Sequence, residues 1–245
     1  MVMQDSTLLP MTTRRPRADN AISLDQPGRR HAERVARQAP QEVRLIGGRF
    51  KRSPLSVPTW PGLRPTSSRV RETLFNWLGQ DMSGWRVLDA FAGSGALGLE
   101  AASRGAEHVV MLEREPALAR HIQANVQKLG AQGVTVHTAD AITWMRQHSA
   151  RQPAAFDLVL LDPPFDAGLF DEAVRAAVNC VPPGGWIYLE SPMPCLSPGS
   201  AGGAATASLT LPPGLRLHRH GKAGAVHYHL IERVDSLLPS PQGGV

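Results

Sequence analysis

The chain has 245 residues, 42% of them hydrophobic, enough for one sizeable core with appendages. It has no apolar run of the roughly 18 residues a membrane helix needs and no apolar secretory segment at its start, so neither a membrane nor an exported protein is expected. The net charge of +5 is uneven: residues 1–79 carry a net +8 and residues 80–245 a net −3, which predicts a polyanion partner for the N-terminal part. The two cysteines, Cys180 and Cys195, lack a CxxC spacing and suit a reduced, cytoplasmic protein without disulfides.

Residues 1–40 mix Pro, Arg, Gln, Ser and Asp without apolar period and are expected to form a disordered leader. Residues 41–80 form a basic segment. Val43 to Phe50 reads as a strand and turn, and a Pro-punctuated stretch follows to Pro65. Thr66 or Ser67 can cap a helix with apolar face Val70, Leu74, Trp77 and Leu78. Arg69 and Arg71 are expected on its other faces.

From residue 81 to 235 the pattern alternates. Strands are predicted at 86–90, 108–113, 134–138, 156–162 and 186–190, with helices at 94–104, 116–129, 141–148 and 169–180. This βα rhythm predicts a mostly parallel, doubly wound α/β sheet with helices on both faces. Residues 193–213, rich in Gly, Ala, Ser and Pro, read as a flexible insertion. Residues 215–220 and 225–232 read as a hairpin around Gly221-Lys222-Ala223-Gly224. Residues 236–245 are expected to be disordered.

Val87-Leu88-Asp89-Ala90-Phe91-Ala92-Gly93-Ser94-Gly95 joins the first strand and helix of this pattern. Glycines there allow a sharp turn and a close ligand, and the helix start presents free N–H groups. With Gly98 the loop also satisfies G-x-G-x-x-G, which leaves a fork between a nicotinamide cofactor and S-adenosylmethionine. The order of acids favours the latter. Asp89 ends its strand ahead of the glycines, where it attracts a cationic methionine end but repels a pyrophosphate. Glu113 ends the second strand and can accept the ribose hydroxyls. Asp140 follows the third and can meet an adenine amino group, although it is also placed to cap a helix.

Asp162 ends the fourth strand, within Asp162-Pro163-Pro164-Phe165. The motif sets a carboxylate, proline carbonyls and a flat ring at the mouth of the sheet. Those groups suit holding the exocyclic amine of a nucleobase for attack, whereas Pro-Pro alone only stops a strand.

Together with Arg44-Leu45-Ile46-Gly47-Gly48, Pro61-Gly62-Leu63-Arg64-Pro65-Thr66 and the Arg69–Leu78 helix, these stretches resemble the bacterial 16S ribosomal RNA guanine-N2 methyltransferases named for guanine(966). The likeness runs from about residue 43 to 232. It implies a Rossmann-like class I fold: a seven-stranded, mostly parallel sheet with a C-terminal antiparallel hairpin and a small basic N-terminal extension. It implies S-adenosylmethionine binding at Asp89, Phe91, Gly93, Gly95, Glu113, Asp140 and Ala141, and base handling by Asp162, Pro163 and Phe165. It also implies a monomeric enzyme acting on 16S rRNA within the 30S subunit or its assembly intermediates. The basic residues assigned to the RNA backbone are Arg44, Arg49, Lys51, Arg52, Arg64, Arg69 and Arg71, with pairing or ordering of the active-site mouth as the alternative role for Arg71 and Glu72.

Other readings are methylation of another base or a glutamine amide, an NAD-dependent oxidoreductase, or a non-catalytic ribosome-assembly factor. Amide and adenine enzymes typically place Asn before Pro-Pro, which counts against the first. His218, His220, His227 and His229 alternate on the predicted hairpin and invite a zinc reading. The proposed chemistry needs no metal, so none is assigned.

Overall fold

The computed structural model describes residues 41–165, 168–196 and 208–234. The expectations for 1–40, for 236–245 and for the middle of the insertion fall outside these residues. Among the described residues, no helix is long and apolar enough to cross a membrane.

Seven strands form the central sheet: β3 (Arg86–Asp89), β4 (His108–Glu113), β5 (Val134–Thr138), β6 (Leu158–Leu161), β7 (Trp186–Ser191), β10 (Leu215–Ala223) and β11 (Val226–Arg233). Their order is β10-β11-β7-β6-β3-β4-β5, parallel from β7 to β5, with β11 and β10 antiparallel at one edge. The alternating βα pattern therefore gives the mostly parallel sheet it predicts. The order reverses between β3 and β6, a switch point that opens a crevice at the carboxyl ends of the strands.

Helices α2 (Ala96–Ser103) and α3 (Pro116–Leu129) follow β3 and β4; α4 (Ala141–Arg151) and α5 (Phe170–Val178) follow β5 and β6. Central strands are apolar on both sides, as burial on two faces requires. Val87, Leu158, Leu160 and Leu230 join the core under α2 and α3, while Leu88, Val159, Leu161 and Ile187 join the core under α4 and α5. Observed and predicted element ends differ by a few residues, where helices fray and caps decide.

The basic segment shares the first core. Strands β1 (Glu42–Arg44) and β2 (Pro54–Ser56) pair antiparallel, and α1 (Ser68–Leu78) follows. Ser67, not Thr66, caps α1, accepting the Val70 N–H. Leu45, Leu55, Leu74 and Phe75 are fully buried with Val87 and Leu99. Each such side chain contributes about 1.5–3 kcal/mol to holding the segment on the sheet. Gly48 has φ +71°, and a Cβ there would run into the Ser103 carbonyl, so the paired glycines mark close passage over the end of α2.

Two sequence expectations change. The 193–213 insertion is structured at its base, because β8 (Cys195–Leu196) pairs in parallel with β9 (Leu209–Thr210). The C-terminal hairpin turns later than predicted: Ala223 pairs with Val226, leaving only Gly224 and Ala225 as its loop. Gly221 lies inside β10, where its missing side chain makes room for the Tyr228 ring.

Candidate active site

Asp89 ends β3 fully buried, and its Oδ2 accepts the Gly98 N–H at 2.8 Å. A Cβ on Gly98 would lie 3.0 Å from that oxygen and 2.9 Å from Met111 Cε, so the third glycine of the motif serves helix-to-strand packing. Gly93 and Gly95 have φ of +53° and +81°, conformations that favour glycine and that carry the loop from β3 into α2. Burial pushes the Asp89 carboxyl up to about 7.

Glu113 ends β4 half-buried. Its Oε2 accepts the Gly93 N–H at 2.9 Å and its Oε1 the Glu115 N–H at 2.8 Å, which ties the second strand end to the glycine loop. Burial raises its carboxyl above the usual range despite these bonds. Asp140 is exposed and caps α4, its Oδ1 accepting the Thr143 N–H at 2.9 Å. That bond holds Asp140 below the usual carboxylate range. Capping is thus present. Ala141 opens the helix, buried behind it, and Phe91 flanks the loop half-buried.

Asp162 stands one residue beyond β6, half-buried. The only hydrogen bond to its carboxylate among the described residues is a long one, from the Thr66 hydroxyl at 3.4 Å. Burial, then Glu190, then Asp89 push its carboxyl well above the usual range. Pro163 is buried behind it, and Phe165 is 39% exposed, the one large hydrophobic side chain so open among the described residues. Its ring meets Phe170 edge-on at 5.9 Å. An ionised Asp162 here is short of donors, with an open aromatic face nearby.

Three neighbours escaped the sequence reading. Glu190 lies at the carboxyl end of β7, beside Asp162 because Leu161 is in register with Leu189. It is buried, accepts the Tyr188 hydroxyl at 2.9 Å, and is raised by burial. Acids at successive strand ends pointed to the site, and the same rule reaches Glu190 on the next strand. Tyr188 and Thr66 carry no comparable signal. Thr66 arrives because the segment before α1 crosses the mouth of the crevice. In the same segment, Leu63 lies against the glycine loop, 3.1 Å from where a Gly93 Cβ would be.

The basic residues divide. Arg44, Arg49, Lys51, Arg52, Arg64 and Arg69 are exposed. Arg71 is not: it is 1% exposed, pairs with buried Glu100 at 3.0 Å, and donates to the carbonyls of Thr66 and Arg44. The assignment of Arg71 to the RNA backbone is therefore corrected. Its position on α1 faces inward, and every N–H direction it uses ends on protein.

Of the four hairpin histidines, three cluster and one leaves. A register shift between Leu217 and Arg219 bulges His218 out of alternation, and its ring meets Trp186 edge-on at 4.9 Å.

A family described as conserved hypothetical protein 95 matches residues 43–232. The chain belongs to this family. It is 37% identical over 198 residues to the ribosomal RNA small subunit methyltransferase D of Escherichia coli (strain K12), an alignment covering 78% of this chain and 90% of that protein. The solved structure of the E. coli yhhF protein superposes with a TM-score of 0.64 at 35% identity, covering 79% of this chain and 98% of that one. An RNA methyltransferase from Salinibacter ruber, solved with S-adenosyl-L-homocysteine, shares the fold at 14% identity and TM-score 0.51, over 74% and 99% of the two chains.

Proposed function

We propose that this chain transfers a methyl group from S-adenosylmethionine to the exocyclic N2 of one guanine in 16S rRNA, guanine(966) in the family's naming. The observation that carries the reading is Asp162: a mouth carboxylate with one long hydrogen bond, beside an exposed phenyl ring and next to the glycine crevice. The 37% identity to a small-subunit rRNA methyltransferase supports the substrate class. The substrate particle is the 30S subunit or an assembly intermediate, and the protein works in the cytoplasm as a monomer.

The residues present fit the cofactor. Gly93 and Gly95 hold the loop at positive φ, and Asp89, Glu113 and Asp140 edge the crevice with acids suited to an ammonium, ribose hydroxyls and an adenine amine. The same acids repel a nicotinamide cofactor's pyrophosphate. When bound, S-adenosylmethionine supplies an electrophilic methyl on a sulfonium.

The protein's own contribution is positioning. The guanine amine is a poor nucleophile because its lone pair is delocalised into the ring. Asp162 and the Pro163 carbonyl each accept one of its N–H bonds, which favours a pyramidal amine with its lone pair free. Phe165 stacks on the base. Orientation of this kind is worth up to about 7–11 kcal/mol in favourable cases. After transfer the amine is cationic, and Asp162, whose carboxyl is already raised, takes its proton. Such a pocket needs an unpaired or extruded base.

The test is to incubate the protein and labelled S-adenosylmethionine with naked 16S rRNA, 30S subunits and duplex DNA, then map the modified nucleotide. Label on a single guanine N2 in rRNA is expected. Label only in DNA, or on a protein amide, overturns the reading.

A further inference from the structure

Glu190 is a buried acid that the methyl-transfer step described above leaves unused. Strand register places it. Leu161 pairs with Leu189, so Asp162 and Glu190 come next on adjacent parallel strands and face the same side. Asp89 shares that side, because its partner Leu160 lies two residues before Asp162. Glu190 is 5% exposed, and its Oε1 accepts the Tyr188 hydroxyl at 2.9 Å. Among the described residues, no cation pairs with Glu190 or with Asp162.

Two neighbouring carboxyls screened from water do not both ionise readily, so their proton affinities are driven apart. Their donors decide which ionises first. Glu190 has the Tyr188 hydroxyl at 2.9 Å, whereas Asp162 has only the Thr66 hydroxyl at 3.4 Å. Charge therefore settles on Glu190, and Asp162 keeps its proton to higher pH. We propose that Glu190 is a positioning residue for methyl transfer: its negative charge, one strand away, makes Asp162 a strong enough base to take the proton of the methylated amine. The inference rests on the function proposed above.

The surroundings agree. Burial raises both carboxyls, and Glu190, followed by Asp89, raises Asp162 further. Tyr188, two residues before Glu190 on β7, is held neutral by burial and by Glu190. Tyr228 on β11 is the register partner of Glu190 and is also buried. From the segment before α1 comes Thr66, whose carbonyl accepts from Arg71; the Arg71 charge is already paired with Glu100. In the proton step the N–H bond of the cationic amine breaks, its electron pair stays on nitrogen, and Asp162 becomes neutral. An ordinary aspartate, titrating at about 3.9, is a much weaker acceptor for that proton.

The test labels the carboxyl carbons of the full chain with 13C and titrates wild type, Glu190→Gln and Glu190→Asp by NMR. Glutamine keeps an oxygen for the Tyr188 hydroxyl, so it removes the charge and spares the hydrogen bond. The Asp162 carboxyl should titrate lower in Glu190→Gln by about one pH unit or more, and Glu190→Asp should recover part of that shift. With S-adenosylmethionine saturating at every pH, so that Asp89 does not limit, the acid limb of methyl transfer to rRNA should move down in parallel. A role confined to packing moves neither. An Asp162 titration unchanged in Glu190→Gln, or an acid limb that stays in place while the carboxyl shifts, overturns the proposal. If Glu190→Gln does not fold, wild type decides: Asp162 and Glu190 titrating in shared steps support the pairing, and two independent single steps overturn it. Absence of methyl transfer by wild type overturns the proposed function, whereas the carboxyl titration bears on Glu190 alone.

Discussion

At the scale of single residues, the site depends on carboxylates held where anions are uncomfortable. Asp162 has one weak donor, so in the proposed reaction the incoming amine supplies the hydrogen bonds it lacks. Asp162→Asn keeps the shape but sets an amide where an acceptor is needed and removes the proton acceptor. Single-turnover assays should show methyl transfer slowed by at least about 10²-fold, the scale of losing one aimed polar group in an active site. Cofactor affinity, read by calorimetry, should stay within a few-fold; a comparable loss there would move Asp162 into the cofactor site. Asp89 makes a prediction about pH. Its carboxyl is pushed up to about 7, and its anion is what a cationic ligand needs. Affinity for S-adenosylmethionine should rise as pH climbs through 7 and then level, and Asp89→Asn should flatten that rise. Stability of the ligand-free protein runs the other way. A folded-state value above the unfolded value of about 3.9 gives stability that is present at low pH and lost as pH rises towards 7. Denaturation of Asp89→Asn across this window should show a shallower loss.

At the scale of elements, buried Glu100 on α2 joins the basic segment to the glycine loop. It accepts the backbone N–H of Ile46 at 2.9 Å and of Gly47 at 2.8 Å, and it binds Arg71 at 3.0 Å and Arg104 at 2.9 Å. Glu100→Ala strands two buried guanidinium groups and two N–H groups. Breaking a buried pair costs about 3–5 kcal/mol, so a drop of that order in unfolding free energy by urea denaturation is expected; a loss under 1 kcal/mol would mean the network relaxes onto water. This network also shows what the sequence could reveal. The parallel sheet was legible because its strands are apolar on both faces and its helices periodic. Acids at strand ends were legible because topology alone sends them to one edge. Arg71 was not, since a buried arginine and an exposed one look alike until Glu100, 29 residues away, is brought beside it. Thr66 was hidden for the same reason: its meeting with Asp162 spans 96 residues. The His218 displacement depends on a bulge, which alternation cannot foresee.

At the scale of the whole molecule, charge and crevice combine. The exposed cations Arg49, Lys51, Arg52, Arg64 and Arg69 sit on a segment that shares the main core and crosses the mouth of the site through Leu63 and Thr66. In the proposed reaction, RNA bound by these cations is therefore set in a fixed relation to Asp162. Arg71 lies in the same stretch but belongs to the interior, which turns the distinction into a measurable one. Cations that neutralise phosphates release counterions, so log affinity falls with log salt by about 0.7 per contact on single strands. Replacing Arg49, Lys51 and Arg52 together with Ala should flatten that slope by up to about 2. It should weaken binding to rRNA at low salt and leave the unfolding free energy within about 0.5 kcal/mol of wild type, as exposed substitutions do. Arg71→Met should do the reverse: the protein loses stability while the salt slope of the remaining folded fraction is unchanged. Filter-binding titrations over a salt series, run beside urea denaturation, separate the two. A slope unchanged in the triple variant would remove the RNA role from the turn between β1 and β2 and leave it to Arg64 and Arg69 nearer the site.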